Sequence, residues 1–345
     1  MDAKIALVNK LKALASELGR VPKRDEFTAH CGGYEYLKHF GGYTQFLHAS
    51  GFKGRDLKGA KEKPSKPSKF KFVKRHIESF KVNELSLDDL FEKHGNPEIL
   101  RITAQPDTHM RNRDRQAVDA MLSFILDYRP HIHIIGGDLL DADGISHWPS
   151  NDLKPKSFIP EVVEARQFLD DLKSKLCRSS DILYIEGNHE DWIRQAMVAK
   201  MPEFFFGLDE LGLLPDLKSL LDLDARGIAL IPVNEFLKIG KLHFTHGLFT
   251  GPGAPKKHLN LVKGNIYYFH THDVLTHHEP SMHGMIESAS LGCLCRLDAP
   301  FLKGRPNNWV HAFGIFEIRR DGTYSFYCPK IFDGRFSFGG KNYGR

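Results

Sequence analysis

The sequence lacks the features that mark secreted and membrane proteins. Its 345 residues include only five cysteines, which are scattered and odd in number, so they do not suit a disulfide framework. No apolar run approaches the roughly 18 residues that a membrane-spanning helix needs. No apolar segment follows Met1 as it would in a secretory signal. We therefore expect a cytoplasmic protein without a membrane partner, whose cysteines stay reduced.

The net charge of +5 conceals an uneven distribution along the chain. Residues 51–81 hold 11 basic and 3 acidic residues, and residues 1–50 hold 7 basic and 5 acidic residues. The rest of the chain therefore carries a net charge of −5. A basic segment of this kind is typical of an arm that binds a polyanion. A solvated, Lys-rich linker without a partner is the alternative interpretation.

Composition divides the chain into three parts. Residues 1–52 carry apolar side chains at helical spacing, with glycines at the turns, which predicts a small helical module. Residues 53–82 are rich in Lys, Pro, Ser and Gly, a composition typical of a linker. Residues 83–345 are expected to form the main domain.

The main domain alternates short apolar segments with helical ones. Strands are predicted at Ile99–Ala104, Ile132–Ile135 and Ile182–Ile185, with helices at Arg115–Tyr128 and Val162–Leu176 between them. This alternation indicates βαβ units and a largely parallel sheet. Strands dominate the second half of the domain. We therefore expect an α/β fold with two stacked sheets flanked by helices.

Polar residues follow the predicted strands where the strands end. Open α/β sheets bind ligands at the edge formed by the carboxyl ends of their strands. Imidazoles and carboxylates together suit Mn, Fe, Zn or Co, whereas calcium prefers oxygen ligands alone. One tetrahedral ion would not use all of these side chains, but two ions that share a carboxylate would. The residues are Asp107, His109, Asp138, Asn188, His189, His246, His270 and His272.

The order of these motifs resembles that of the calcineurin-like metallophosphoesterase superfamily over about residues 101–340. The motifs are D-x-H, G-D-x-x-D, G-N-H-E, H-G and H-x-H. The resemblance implies a four-layer α/β/β/α sandwich and a phosphoesterase domain with two divalent ions. Manganese is the first expectation, with iron, zinc, cobalt or nickel as alternatives. The implied ligands are Asp107, His109 and His272 for one ion, Asn188, His246 and His270 for the other, and Asp138 as the bridge.

The same resemblance implies catalytic roles. A water or hydroxide shared by the two ions would attack phosphorus, with Asp138 at the centre of the site. His189 would stabilise the developing charge or protonate the leaving oxygen as a general acid. Asp141 and Glu190 are expected to orient the ligands rather than to bind metal.

Two residues depart from the family's usual pattern. Phe269 stands where a glycine usually precedes the H-x-H pair, and Pro106 stands where a small polar residue usually precedes Asp107. Both changes affect backbone shape and spare the ligands. They bear on fine geometry and on substrate access.

The N-terminal residues 3–51 resemble the small repeat found beside homing endonuclease domains, chiefly in the spacing L-G-R-x-P-x-x-x-x-F from Leu18 to Phe27. The resemblance implies a helical nucleic-acid-binding unit in a phage or mobile-element protein. An unrelated helical cap is the alternative. The residues expected to contact phosphates are Arg20, Lys23, Arg24 and Lys38.

These features together predict a nuclease or phosphodiesterase whose partner is nucleic acid, with DNA as the first expectation. The alternative is a phosphomonoesterase acting on protein or small molecules, with the N-terminal region used only for localisation. A DNA-binding regulator with a vestigial metal site is a third hypothesis. The intact set of ligands argues against it.

Overall fold

The fold is taken from a computed structural model of the chain. The structure describes residues 3–23, 26–27, 39–40, 43–52, 73–77, 80–145, 158–203, 208, 216–282, 284–299, 302 and 304–344. The helices are α1 (Ala3–Leu18), α2 (Tyr43–Ala49), α3 (Leu87–Lys93), α4 (Arg115–Tyr128), α5 (Phe158–Lys175), α6 (Asn188–Lys200), α7 (Leu217–Leu220), α8 (Leu223–Arg226) and α9 (Ala254–Val262). The strands are β1 (Val73–Ile77), β2 (Phe80–Leu85), β3 (Leu100–Gln105), β4 (Ile132–Ile135), β5 (Asp181–Ile185), β6 (Ile228–Ile231), β7 (Phe236–Ile239), β8 (Leu242–Thr245), β9 (Asn265–Tyr268), β10 (Thr276–Ser281), β11 (Gly284–Ser290), β12 (Gly314–Ile318), β13 (Tyr324–Tyr327), β14 (Arg335–Phe338) and β15 (Lys341–Gly344).

Two sheets form the centre of the main domain. The first has six strands in the order β13-β12-β3-β4-β5-β6, and the strands from β3 to β6 are parallel. The second has seven strands in the order β1-β2-β7-β8-β9-β11-β10 and is mixed. The predicted βαβ series therefore forms one half of the first sheet. The late strands β12 and β13 return to complete that sheet in antiparallel fashion.

The apolar residues divide into layers because successive side chains of a strand point to opposite faces. In β5, Leu183 and Ile185 point between the two sheets, whereas Ile182 and Tyr184 point to the layer that contains α4 and α5. On the outer face of the seven-stranded sheet, Ile266 packs with side chains of α9. The layers follow the order α/β/β/α, which confirms the predicted four-layer sandwich.

Helix α4 shows how local sequence sets an element. Asp114 caps its first turn by accepting a hydrogen bond from the backbone N–H of Ala117 at 2.9 Å. The helix ends at Tyr128, because the next residue, Arg129, has a left-handed backbone (φ 52°) that does not continue it. Met121, Phe124 and other residues on one face are buried against the sheet. Replacing Phe124 by Ala would cost about 3–5 kcal/mol, as a large cavity does in a packed core.

The seven-stranded sheet begins earlier in the chain than composition indicated. The hairpin of β1 and β2 lies at its edge, and β2 pairs in parallel with β7. Residues 73–77 and 80–82 belong to these two strands, although the sequence predicted a linker over residues 53–82. Lys74 and Arg75 fall on β1, the edge strand of this sheet.

The described part of the N-terminal module is helical, as predicted. Helix α1 buries Leu7, Leu11 and Leu14, which share a cluster with Phe27 and with residues of α2. Val163 of α5 lies in the same cluster, so the module packs on the outer side of the main domain. None of the helices in the described ranges combines the length and apolar character that a membrane crossing requires.

Candidate metal centre

The seven predicted ligands lie where strands of both sheets end. Three of these strands belong to the six-stranded sheet and two to the seven-stranded sheet, so the cluster lies at one edge of the sandwich. Asp107 and His109 follow β3, Asp138 follows β4, Asn188 follows β5, His246 follows β8, and His270 and His272 follow β9. The structure therefore brings together residues that are far apart in sequence, as the motif order predicted.

One half of the cluster centres on Asp107, which is fully buried. Its Oδ2 lies 2.8 Å from His272 Nε2, and its Oδ1 accepts a hydrogen bond from the backbone N–H of His270 at 3.1 Å. The Nε2 atoms of His272 and His109 are 3.3 Å apart. Burial favours the neutral acid, but the nearby imidazoles of His272 and His246 outweigh it and lower the pKa of Asp107.

The other half centres on His246. Its Nδ1–H donates to the backbone oxygen of Gly136 at 2.8 Å, so Nε2 points into the cluster. Nε2 lies 2.9 Å from Asn188 Oδ1 and 3.2 Å from Asp138 Oδ2. A neutral ring would turn a lone pair toward two oxygens, which is unfavourable unless a proton or a cation lies between them. Nitrogen and oxygen donors that converge in this way fit a transition-metal ion.

Asp138 lies between the two halves. Its Oδ2 is 3.2 Å from His246 Nε2, 3.8 Å from His189 Nε2 and 4.0 Å from His109 Nε2. Burial opposes ionisation, but the charges of His246 and His189 hold the pKa of Asp138 well below its usual value. A carboxylate in this position can bind two cations at once.

Four of the predicted ligands adopt left-handed backbone conformations. The φ angles are 46° at Asp138, 48° at His109, 61° at His272 and 71° at His270. Residues other than glycine seldom adopt this region, and each such residue costs about 1–3 kcal/mol. The surrounding hydrogen bonds must therefore hold the ligands in place.

Glu190 supplies much of that support at Asp138. Its Oε2 accepts hydrogen bonds from the backbone N–H groups of Asp138 and Gly187, each at 3.0 Å. Its Oε1 accepts from the backbone N–H of Leu140 and from the hydroxyl of Tyr184, each at 2.9 Å. All four contacts are made to protein donors, so Glu190 fixes the loop that carries Asp138, in the orienting role expected from the sequence.

Asp141 has a similar orienting position beside His109. It accepts hydrogen bonds from the backbone N–H of Arg111 at 2.9 Å and from Asn112 Nδ2 at 2.7 Å. Its Oδ1 lies 3.3 Å from His109 Nδ1. Burial opposes protonation of His109, but the carboxylates of Asp141, Asp138 and Asp107 outweigh it. They raise the pKa of His109 to about 10. Glu161, which no sequence pattern indicated, accepts from the backbone N–H of Asp141, and burial raises its pKa to about 7.

His189, the predicted acid, lies at the open side of the cluster. Its Nδ1–H donates to the backbone oxygen of Asp141 at 2.7 Å, which leaves Nε2 facing the centre. Its side chain is 21% exposed, whereas that of His109 is 3% exposed. The Trp192 ring packs against that of His189, tilted by 30°, at a centroid distance of 3.9 Å. The sequence did not single out Trp192, although its i+3 position on α6 places it on the same helix face.

The structure explains how Phe269 replaces the usual glycine. The Phe269 ring is fully buried in the apolar cluster between the sheets. A Cβ atom at Gly136 would collide with this ring, so Gly136 leaves the space that the ring fills. The backbone N–H of Phe269 still donates to the oxygen of His246 at 2.8 Å. The departure from the family pattern therefore leaves the ligands together.

Within the described ranges there are three groups of three side chains, and the atoms of each group are close enough together to hold one ion. They are His109–His272–Cys295, His109–Asp138–His189 and Asp138–His246–His270. The sequence did not predict Cys295, whose sulfur lies 3.8 Å from His272 Nδ1. Asp107 lies beside Nε2 of His272, so Cys295 contacts the same ring at its other nitrogen, Nδ1. Trp309 packs against the same ring at 4.2 Å.

The predicted phosphate contacts of the module are only partly described. Arg20 forms two hydrogen bonds with Glu26, at 2.8 and 2.6 Å, and the pair lowers the pKa of Glu26 to about 2. The guanidinium of Arg20 is thus engaged within the module. Lys23 is exposed, and its backbone N–H also donates to Glu26. Arg24 and Lys38 lie outside the described residues.

The main domain combines a four-layer α/β/β/α sandwich with a cluster of histidines and aspartates at one edge. The calcineurin-like metallophosphoesterases remain the family that its motif order resembles. Residues 5–53 match the family described as Homing endonuclease associated repeat. This match confirms the second resemblance.

Two phage proteins are similar to this chain. The chain is 26% identical over 263 residues to the Gene 54 protein of Mycobacterium phage D29, a match that covers 70% of this chain and 97% of that protein. The Gene 54 protein of Mycobacterium phage L5 is 26% identical over 264 residues, with the same coverage.

Solved structures show a more distant likeness. Vacuolar Protein Sorting 29 from Cryptosporidium parvum is 10% identical, with a TM-score of 0.38, over 72% of this chain and 100% of that chain. Yfce, a phosphoesterase from E. coli, is 14% identical, with a TM-score of 0.31, over 66% of this chain and 98% of that chain. Likeness at this level carries no argument about activity.

Proposed function

We propose that this protein is a two-metal phosphoester hydrolase that cleaves nucleic acid, with DNA as the first substrate to test. The observation that carries the proposal is the position of Asp138 Oδ2 between two sets of nitrogen and oxygen side chains. His246 Nε2, which lies 2.9 Å from Asn188 Oδ1 and 3.2 Å from Asp138 Oδ2, adds a further ligand atom at this point.

Asp138 would contribute to the binding of both ions. The remaining ligands would be Asp107, His109 and His272 for one ion, and Asn188, His246 and His270 for the other. Bound divalent ions of the Mn, Fe, Zn or Co type polarise phosphoryl oxygens and lower the pKa of water. The protein's own contribution is to bring these side chains together before the substrate arrives, four of them on left-handed backbone.

His189 would act as the general acid through Nε2. Because Nδ1–H is held by the backbone oxygen of Asp141, only Nε2 is free to exchange a proton with the substrate. Its partial exposure allows contact with a leaving oxygen, while Trp192 limits rotation of the ring. A proton held at Nε2 would pass to the leaving group as the phosphoester bond breaks.

Features outside the cluster support a nucleic-acid substrate. The first of these is the match of residues 5–53 to a repeat associated with homing endonucleases. The second is the basic composition of residues 51–81, where 11 of the residues are Lys or Arg. Basic segments attract polyphosphate backbones in a salt-dependent manner that does not depend on base sequence. The repeat and most of the basic segment precede β1, the first strand of the sheet, so substrate capture and hydrolysis would reside largely in different parts of the chain.

A substrate panel tests the proposal. The metal-stripped full chain, supplied with Mn²⁺, is assayed on single- and double-stranded DNA, RNA, an aryl phosphodiester and an aryl phosphomonoester. We expect cleavage of DNA and of the diester, with DNA cleavage falling steeply as salt is raised. Hydrolysis of the monoester alone would contradict the proposal and favour the phosphatase alternative.

A truncation separates substrate capture from chemistry. Removing residues 1–52 keeps β1 and β2, which belong to the sheet and should not be deleted. DNA cleavage should fall while hydrolysis of the small diester persists. Equal loss of both activities would show that the module serves stability rather than substrate capture.

A further inference from the structure

The loop between β9 and β10 carries two predicted ligands and a buried carboxylate that binds no predicted metal. His270 and His272 both have left-handed backbones, with φ angles of 71° and 61°. Asp273 follows them directly and is only 4% exposed. Burying a carboxylate costs free energy unless it accepts hydrogen bonds. The donors that bond to Asp273 therefore show which segments it connects.

Three side chains donate hydrogen bonds to Asp273. Its Oδ1 accepts from Thr271 Oγ1 at 2.6 Å and from Ser290 Oγ at 2.7 Å. Its Oδ2 accepts from Asn308 Nδ2 at 3.1 Å. Its backbone oxygen accepts from the N–H of Gly292 at 2.8 Å. The partners belong to three separate segments, so Asp273 joins the loop to β11 and to the segment that precedes β12.

Thr271 makes this network relevant to the metal centre. It stands between His270 and His272, so its hydroxyl fixes the middle of the loop on which both histidines depend. Asn308 fixes the segment on the other side. There, the Trp309 ring packs against His272, and the N–H of Val310 donates to the His272 backbone oxygen at 2.9 Å. The His272 ring and backbone are therefore held by elements that Asp273 connects.

We propose that Asp273 is a positioning residue that keeps His270 and His272 in the conformations in which they bind metal. The inference rests on the proposed function, because it assumes that these histidines are ligands. Without the hydrogen bond from Thr271, the loop can relax toward ordinary backbone angles, and the two imidazoles turn away from Asp107 and His246. Second-sphere partners of this kind commonly alter metal affinity by about 10- to 100-fold when they are removed.

The experiment measures Mn²⁺ binding to the metal-stripped full chain by titration calorimetry, at a temperature well below unfolding. Thr271→Val removes the hydroxyl at nearly constant shape and should weaken the binding about tenfold. Thr271→Ser keeps the hydroxyl and should bind as the wild type does. Asp273→Ala should weaken the binding more, toward about 100-fold. Asp298→Asn, at an exposed carboxylate paired with Arg296, is the control and should change nothing.

A double variant asks whether the two residues act through one contact. If Asp273 acts on the loop through Thr271, then Thr271→Val should cost little further affinity when Asp273 is already Ala. A merely structural role would lower the unfolding temperature but leave the affinity of the folded chain unchanged, and Thr271→Ser would not differ from Thr271→Val.

The possible results distinguish a failure of this inference from a failure of the proposed function. Wild-type affinity in both Asp273→Ala and Thr271→Val, with the wild type binding metal, would overturn the inference and leave the proposed function standing. A wild-type chain that binds no Mn²⁺ would overturn both. If Asp273→Ala does not fold, the comparison of Thr271→Val with Thr271→Ser decides the question alone.

Discussion

Glu190 offers a quantitative test of how the bridging position is built. Its carboxylate accepts four hydrogen bonds, three from backbone N–H groups and one from the hydroxyl of Tyr184. The substitution Glu190→Gln preserves shape but exchanges one acceptor oxygen for a donor. If the new amide faces Asp138 and Gly187, two buried N–H groups lose their partner. If it faces Leu140 and Tyr184, only one does, because the hydroxyl can turn and accept.

The cheaper orientation sets the expected magnitude. One buried donor left without an acceptor costs about 1–3 kcal/mol. We therefore expect Glu190→Gln to lower the free energy of unfolding of the metal-free chain by about that amount. Because the loop that carries Asp138 is held by the same carboxylate, turnover should fall as well.

Urea unfolding of the metal-free protein, followed by circular dichroism, measures the effect. Glu92→Gln is the matched control, because Glu92 lies exposed on α3 and the same chemical change there should be nearly neutral. A Glu190→Gln variant as stable as Glu92→Gln would refute the argument that this carboxylate holds the loop.

Three further predictions follow from the same contacts. His189→Ala should lower turnover by about 10²- to 10⁴-fold, with metal content measured by mass spectrometry unchanged; unchanged turnover would remove the acid assignment. Phe269→Gly, although it restores the usual family residue, should destabilise the fold in urea by at least about 3–5 kcal/mol, because it empties a buried site between the sheets. Burial raises the pKa of Glu161 from 4.5 to about 7, so the folded chain binds that proton more tightly than the unfolded chain. Its contribution to stability is present below about pH 4.5 and is lost as the pH rises through about 7. Because glutamine does not titrate, Glu161→Gln should remove about 3 kcal/mol of the change in the free energy of unfolding over this pH range.

Much of the fold could be predicted because its signals are local. The apolar segments around β3, β4 and β5 are short, bounded and separated by amphipathic helices, and the helix at Arg115–Tyr128 was predicted to its observed ends. The polar residues after these strands could be assigned to one edge because parallel strands end together. Motif order also predicted that the seven ligands would lie together.

The remaining features depend on contacts between distant segments, which a single sequence does not display. The hairpin of β1 and β2 carries a basic, linker-like composition and becomes sheet only by pairing with β7. Asp273 is an ordinary acidic residue until Ser290 and Asn308 are brought to it. Glu161 likewise acquires its role from the loop after Asp138.

The most direct test of the central claim is the number of ions that the cluster binds. Mn²⁺ is titrated into the metal-stripped full chain, and bound metal is counted for the wild type and for His246→Ala and Asp138→Ala. We predict two ions per chain in the wild type, one of them lost or much weakened in His246→Ala, and both weakened in Asp138→Ala because that carboxylate lies between the two halves. A folded wild-type chain that binds no ion, or that binds ions unaffected by either substitution, would contradict the account.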